Sequence, residues 1–371
     1  MAKKQIFANC LLVISSLAVA GTVGELTLSA LGYKTLYVNP EREIFWEYHP
    51  LLGWHHDPGK HGIFESSEFR IAVFINQKGL RDRDYSYERT PGKKRILVLG
   101  DSFVWGLGVE QNQVFTEQLE NLLTNVEVIN AGVSGYSTDQ ELLWFKSEGI
   151  KYNPDLVILV VSGIDDSMNH LELVYVIYYK PRFTFGENGQ LELQDAPVPQ
   201  ASAFMRGLYW GCRYSSLVNF LMQNVRPTIL QTLYGQGSFK TKKLETFKER
   251  DPSEQFTLTL ALIDEIRRTS EAVNAQLMIV TNSIFWLPHQ PGATYEELVL
   301  ALRDNYPYVL DIEESTRYSS EQMTIPHDGH WNQDGHRFVA EQILKFIEEN
   351  RLLEPEKSSA HSFWKQKTLS N

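Results

Sequence analysis

Short, almost wholly apolar runs that each give way to a stretch of helical periodicity are the feature that most restricts this chain. Residues 95–99 (Arg-Ile-Leu-Val-Leu), 126–130 (Val-Glu-Val-Ile-Asn) and 155–161 (Asp-Leu-Val-Ile-Leu-Val-Val) read as strands. Runs this apolar are expected of parallel strands buried on both faces. Between them, 114–123 places Phe115, Leu119, Leu122 and Leu123 on one helical side, and 139–149 is amphipathic. The alternation resumes with a helix over 253–274, strands at 277–281 and near 308–310, and a last helix over 335–350. Asn332 or Asp334 is placed to cap that last helix. Strand and helix in alternation imply an α/β fold on a parallel sheet.

The remaining segments set the domain plan. Residues 26–92 form an aromatic, β-containing lead-in, with a strand over 69–75 and a turn at 76–79. A main domain over 93–354 follows, with an insertion at about 170–252, and residues 355–371 form a polar tail. The insertion carries a hairpin over 183–193, turning at Gly186–Gly189, and one or two amphipathic helices over 204–233 broken at Pro227. It reads equally as a lid or acyl-group shelf and as a structural appendage. His49, His55, His56 and His61 fall in the lead-in with spacings that fit no common zinc pattern.

Residues 1–25 say where such a protein resides. Lys3 and Lys4 precede an uncharged run of 19 residues, Ile6 to Gly24, which Glu25 ends. About 17–25 residues suffice to cross a bilayer as a helix. Basic residues ahead of the run favour a cytoplasmic N-terminus and a body outside the cytoplasm, periplasmic or at the cell surface. Ala18-Val19-Ala20 also has the form of a signal-peptidase site, so secretion after cleavage near Ala20 is the competing expectation, with a buried core helix as a third. A net charge of −11 opposes binding to nucleic acid. The two cysteines, Cys10 and Cys212, leave a single thiol in the folded part.

Chemistry converges on three loops at strand ends, the rim where open α/β sheets bind ligands. Gly100-Asp101-Ser102, the loop after Asn130, and Ile164-Asp165-Asp166 all fall there. A serine hydroxyl needs a neighbouring base to become a nucleophile. His330, immediately before the last helix, is the candidate base for Ser102, and Asp328 the candidate that orients its imidazole.

These residues resemble the SGNH, or GDSL-like, hydrolases over 95–166 and 325–348. Gly100-Asp101-Ser102-Phe103 looks like the first block, with Phe for the usual Leu, and Asn130-Ala131-Gly132-Val133-Ser134-Gly135 like the second. Asp328 with His330 resembles the last. An N-terminal anchor, an aromatic lead-in and Gly79-Leu80-Arg81 resemble membrane-anchored bacterial members. The resemblance implies a flavodoxin-like three-layer α/β/α fold and ester hydrolysis through an acyl-serine, with no metal or organic cofactor. It implies Gly135 as an oxyanion donor, with Gly132 the alternative. Two departures stand out. Asp165 occupies the place of an Asn that donates to the oxyanion, and an ionised carboxylate cannot donate. Asp328-Gly329-His330 is one residue shorter than the usual Asp-x-x-His, which puts His327 at the expected aspartate position. The substrate class implied is O-acyl, acetyl above all, on an envelope or exported glycan. Acyl transfer to such a glycan, and a catalytically silent glycan-binding or scaffold module, are the alternatives.

Overall fold

The computed structural model describes residues 2–35, 39–175, 177–222, 256–284, 294–315 and 319–354. The chain divides into two compact units, one of residues 1–39, 175–178 and 200–248, the other of residues 40–174, 179–199 and 249–371.

The smaller unit begins with α1 (Ala2–Ala30). The stretch Gln5–Ala30 is long and apolar enough to cross a membrane, with mean hydropathy 2.1. The larger unit opens with α2 (Pro40–Phe45) and two antiparallel hairpins. These are β1 (Trp46–His49) with β2 (Gly53–His56), and β3 (His61–Glu65) with β4 (Arg70–Phe74). Then come β5 (Lys94–Gly100), α3 (Ser102–Trp105), α4 (Phe115–Leu122), β6 (Val126–Gly132), α5 (Thr138–Ser147), β7 (Leu156–Ser162) and α6 (Asp165–Met168). A hairpin of β8 (Arg182–Phe185) and β9 (Leu191–Gln194) turns where the sequence places it. The chain then returns to the smaller unit for α7 (Ala203–Tyr214) and α8 (Ser216–Phe220). It re-enters the larger one with α9 (Thr257–Ala272), β10 (Gln276–Asn282), α10 (Tyr295–Asn305), β11 (Val309–Asp311) and α11 (Gln333–Asn350).

The central sheet has the order β11-β10-β7-β5-β6, every pair parallel. Counted along the chain this is a 2-1-3-4-5 arrangement, whose switch point lies between β5 and β7. On one face Ile96, Val98, Val128, Ile158 and Met278 meet Phe115 and Leu119 of α4 and Phe338, Val339 and Ile343 of α11. On the other, α5 packs with α9 and against β5. Helices on both faces make the expected three layers. The expected strands and helices of the sheet are all present, with ends shifted by a few residues. The helix expected over 204–233 is α7 and α8 up to residue 222; its remainder, residues 253–255 and the tail 355–371 lie outside the described residues.

The lead-in is more structured than its sequence suggests. Residues Phe45, Phe64, Ile71, Val73 and Ile75 form a second core with Trp105 and Leu107, so the last residue of α3 is sunk in the lead-in.

Candidate active site

The turn that carries Ser102 is built by the sheet register. Gly100 of β5 lies opposite Gly132 of β6, which sets the two following loops side by side. The Val133 amide then donates to the Gly100 carbonyl (3.1 Å). Asp101 caps α3 by accepting from the Phe103 amide (2.9 Å), leaving Ser102 as the first helical residue at the switch point. Asn130 braces α3 from below, its side-chain amide donating to the Val104 carbonyl (2.8 Å). Gly132 lets α3 approach. A Cβ there would stand 2.3 Å from the Trp105 nitrogen, so Gly132→Ala should cost about 1–3 kcal/mol of stability, read as a fall in Tm.

Two segments 228 residues apart meet here: the Ser102 hydroxyl donates to His330 Nε2 at 2.6 Å. His330 Nδ1–H in turn donates to Asp328 Oδ1, also at 2.6 Å. The short Asp-x-His spacing is accommodated by a tight turn. His327 and Gly329 take left-handed conformations (φ 59° and 94°), and Asp328 and Gly329 both donate to the Ile325 carbonyl. This turns the Asp328 carboxylate back onto the imidazole, where it also accepts from the His330 amide (3.2 Å). Burial raises the Asp328 pKa, but the bond from His330 and its charge outweigh that, and the net shift is downward. Phe103 lies against the imidazole face, with ring centroids 4.8 Å apart, and Trp331 packs behind Phe103 at 4.7 Å.

The structure separates Gly132 from Gly135. The Gly132 amide donates to Asn130 Oδ1 (2.9 Å) and is spent inside the loop. Gly135 is in the left-handed region (φ 76°), and its amide makes no hydrogen bond among the described residues. The lead-in holds this loop: Trp54 Nε1 donates to the Ser134 carbonyl (3.2 Å), and the Tyr136 hydroxyl donates to the Trp54 carbonyl (2.7 Å).

Asp165 sits at the end of β7, fully buried. Its Oδ2 accepts from the Ser162 amide (2.8 Å), while the Ser162 hydroxyl donates to Asp101 Oδ2 (2.8 Å). Ser162 therefore links Asp165 to the residue beside Ser102. Among the described residues Asp165 Oδ1 has no hydrogen-bond partner, and neither carboxyl oxygen of Glu141 on α5 has one. Asp101, Asp139, Glu141 and Asp165 are all buried, and the buried cation among them, Lys180, is ion-paired with Asp139. So many carboxyls beside one ammonium cannot all be ionised. Burial raises the pKa of Asp165 well above its ordinary value, and nearby Asp101 adds to the shift. Glu141 is raised well above its ordinary value by burial, then by Asp165. Both shifts act toward the neutral acid. A protonated Asp165 has an O–H to donate, which removes the objection its charge raised.

Three further buried residues lie around this region, and of them only Arg81 is named in the sequence analysis, within Gly79-Leu80-Arg81. Arg81 is fully buried, lies over the Trp105 ring (4.6 Å) and donates to the carbonyls of Trp105, Gly106 and Val109, fixing the exit of α3. Glu41 of α2 is buried and accepts from Trp46 Nε1 (3.2 Å). Its pKa is raised by burial, against the lowering effects of the Ser134 hydroxyl and, farther off, of His330, so it lies close to the same loop. Glu141 is the third. His55 and His56 are buried in β2, and His336 in α11 accepts from the Phe115 amide (3.3 Å), its pKa pushed down to about 3 by burial. Among the described residues no cluster of three His, Cys, Asp or Glu side chains is arranged to hold a metal.

No protein-family model matches the chain, and no curated protein does. Several solved structures are similar to it at low identity. One is a member of the lipolytic protein G-D-S-L family from Veillonella parvula DSM 2008 (13% identity, 68% of this chain and 97% of that one, TM-score 0.37). Another is the psychrotrophic esterase EstA from Pseudoalteromonas sp. (13%, 69% and 98%, TM-score 0.36). The chain is also similar to a family 3 carbohydrate esterase from Clostridium thermocellum (15% identity, 71% of this chain and 100% of that one, TM-score 0.35).

Proposed function

We propose that this chain is a serine-dependent hydrolase of carboxylic esters that works through an acyl-serine intermediate. The observation that carries the reading is the unbroken hydrogen-bond chain Ser102–His330–Asp328 at the sheet's switch point. In that chain His330 Nε2 takes the Ser102 proton as Oγ attacks the acyl carbon. Asp328 holds Nδ1–H and stabilises the imidazolium. The proton then passes to the departing alcohol oxygen, and water, deprotonated by the same imidazole, releases the acid and restores Ser102. The Gly135 amide and the neutral Asp165 carboxyl are the donors assigned to the oxyanion.

The substrate class proposed is O-acyl groups, acetyl in particular, on an envelope or exported glycan. Its support is α1, read as a membrane span that leaves the body outside the cytoplasm: 26 residues of high hydropathy preceded by Lys3 and Lys4.

A fluorophosphonate probe tests the core of the proposal, because only an activated serine reacts with it. The full chain should be labelled at Ser102, and Ser102→Ala should abolish the adduct by intact-mass analysis. An unlabelled wild type would leave a silent glycan-binding module as the better reading. With an acetylated polysaccharide and a glycan acceptor, free acetate indicates hydrolysis and acetyl on the acceptor indicates transfer.

A further inference from the structure

The smaller unit presents a surface that the chemistry of the larger one does not use. Along α7 the residues Ala203, Gly207, Trp210 and Tyr214 recur at intervals of four, three and four, and so share one face. Trp210 is 62% exposed, Tyr214 60% and the adjoining Phe204 75%. The opposite face, Tyr209 and Cys212, is buried. Arg206 and Arg213 flank the aromatic stripe, and no acidic residue occurs between 200 and 222 in a chain of net charge −11. An aromatic stripe edged by arginines is the composition of helices that lie in a membrane interface.

The position of α8 against α1 fixes the depth. Glu25 of α1 accepts from the Ser215 hydroxyl (2.6 Å) and from the amides of Ser216 (2.8 Å) and Leu217 (3.0 Å), so it caps α8. The Ser216 hydroxyl donates to the Tyr33 carbonyl (3.0 Å), Asn219 donates to the Lys34 carbonyl (2.9 Å), and Tyr33 meets Phe220 edge-on. At about 1.5 Å per residue, the run from Ile6 to Glu25 is about 30 Å long, the thickness of a bilayer's hydrocarbon core. The first charge after the apolar run therefore lies at the outer boundary, and the corner between α7 and α8 is fastened to it.

We propose that α7 is an interfacial helix whose Ala203–Gly207–Trp210–Tyr214 stripe lies in the headgroup layer of the bilayer that α1 spans, with Arg206 and Arg213 toward anionic headgroups. This rests on α1 being retained as a membrane span.

The test uses the full chain reconstituted in phosphatidylethanolamine–phosphatidylglycerol vesicles, with and without lipids carrying a nitroxide near the headgroup. The emission of Trp210 is obtained as the difference between wild type and Trp210→Phe. It should be blue-shifted and should lose about half its intensity to the shallow nitroxide, the depth at which interfacial tryptophans sit. Protein that floats with the vesicles but shows a Trp210 component untouched by the nitroxide overturns the proposal while leaving the anchor intact. If that unquenched component is also blue-shifted, a protein surface such as a second copy of the chain covers the stripe instead. Protein that fails to float, or whose mass shows cleavage near Ala20, overturns the anchor reading and this one with it.

Discussion

Turnover of a short-chain nitrophenyl ester should fall by about 10⁴–10⁶-fold in Ser102→Ala, and His330→Ala and the double variant should fall to nearly the same level. The near-equality matters as much as the size. A nucleophile and its base act as one unit, so once the 2.6 Å contact between Ser102 and His330 is gone there is little left for a second substitution to remove. Asp328→Ala should cost less than either, because it removes the group that orients the imidazole while leaving the base in place. If His330→Ala kept more than a tenth of wild-type kcat/KM on the activated ester, the assigned base would be wrong, whatever the probe had shown at Ser102.

The second large effect is expected at Asp165. Loss of one oxyanion donor typically costs about 100–1,000-fold in rate, so Asp165→Leu should lose that much in kcat. Asp165→Asn keeps a donor of nearly the same shape and should stay within a few-fold of wild type. The pH profiles separate this role from simple packing. Asp165 has a folded pKa raised above its ordinary 3.8, mainly by burial and then by Asp101. Its proton is thus held more tightly in the folded state. The stability this contributes is complete at pH values below 3.8 and is lost as pH rises through the folded value. The groups around it are Asp101, Asp139, Asp166, Glu141 and Lys180, and as Asp101, Asp139 and Glu141, themselves raised by burial, ionise, their repulsion reinforces the fall. Wild type should therefore lose both kcat/KM and Tm on the alkaline side, and Asp165→Asn should flatten both losses. An identical alkaline limb in the two proteins, or an active leucine variant, would remove Asp165 from the oxyanion site.

What could be read from the chain beforehand follows from how each feature is stabilised. β5, β6 and β7 are buried on both faces, so their burial leaves continuous apolar runs that no surface strand would have. Ser102 was legible because it adjoins such a strand, and His330 because it lies just before the amphipathic α11. β2 was not: Gly53-Trp54-His55-His56 is buried throughout, yet its polar residues read as loop. Helix α10, not assigned in the sequence analysis, carried a signal all the same: a capping box of Thr294 with Glu297, followed by buried Tyr295, Leu298, Val299 and Leu302. Glu41 and Glu141 were illegible for another reason. A carboxyl in a short helix looks solvated until tertiary packing shows what surrounds it. The Asp328 spacing departed from the usual pattern, and the left-handed turn at Gly329 absorbs the difference.

Anyone trimming this chain to a soluble body would be tempted to start at the first strand of the sheet. The Trp105 side chain argues against that cut, because Phe45, Phe64 and Ile71 cover it and Arg81 grips the carbonyls around it. A fragment starting at Lys93 would bare an indole and the carbonyls of Trp105, Gly106 and Val109, three to seven residues after Ser102. The shortest useful version begins no later than Pro40, and the fifty-odd residues before the sheet are better counted as part of the folded body than as a leash.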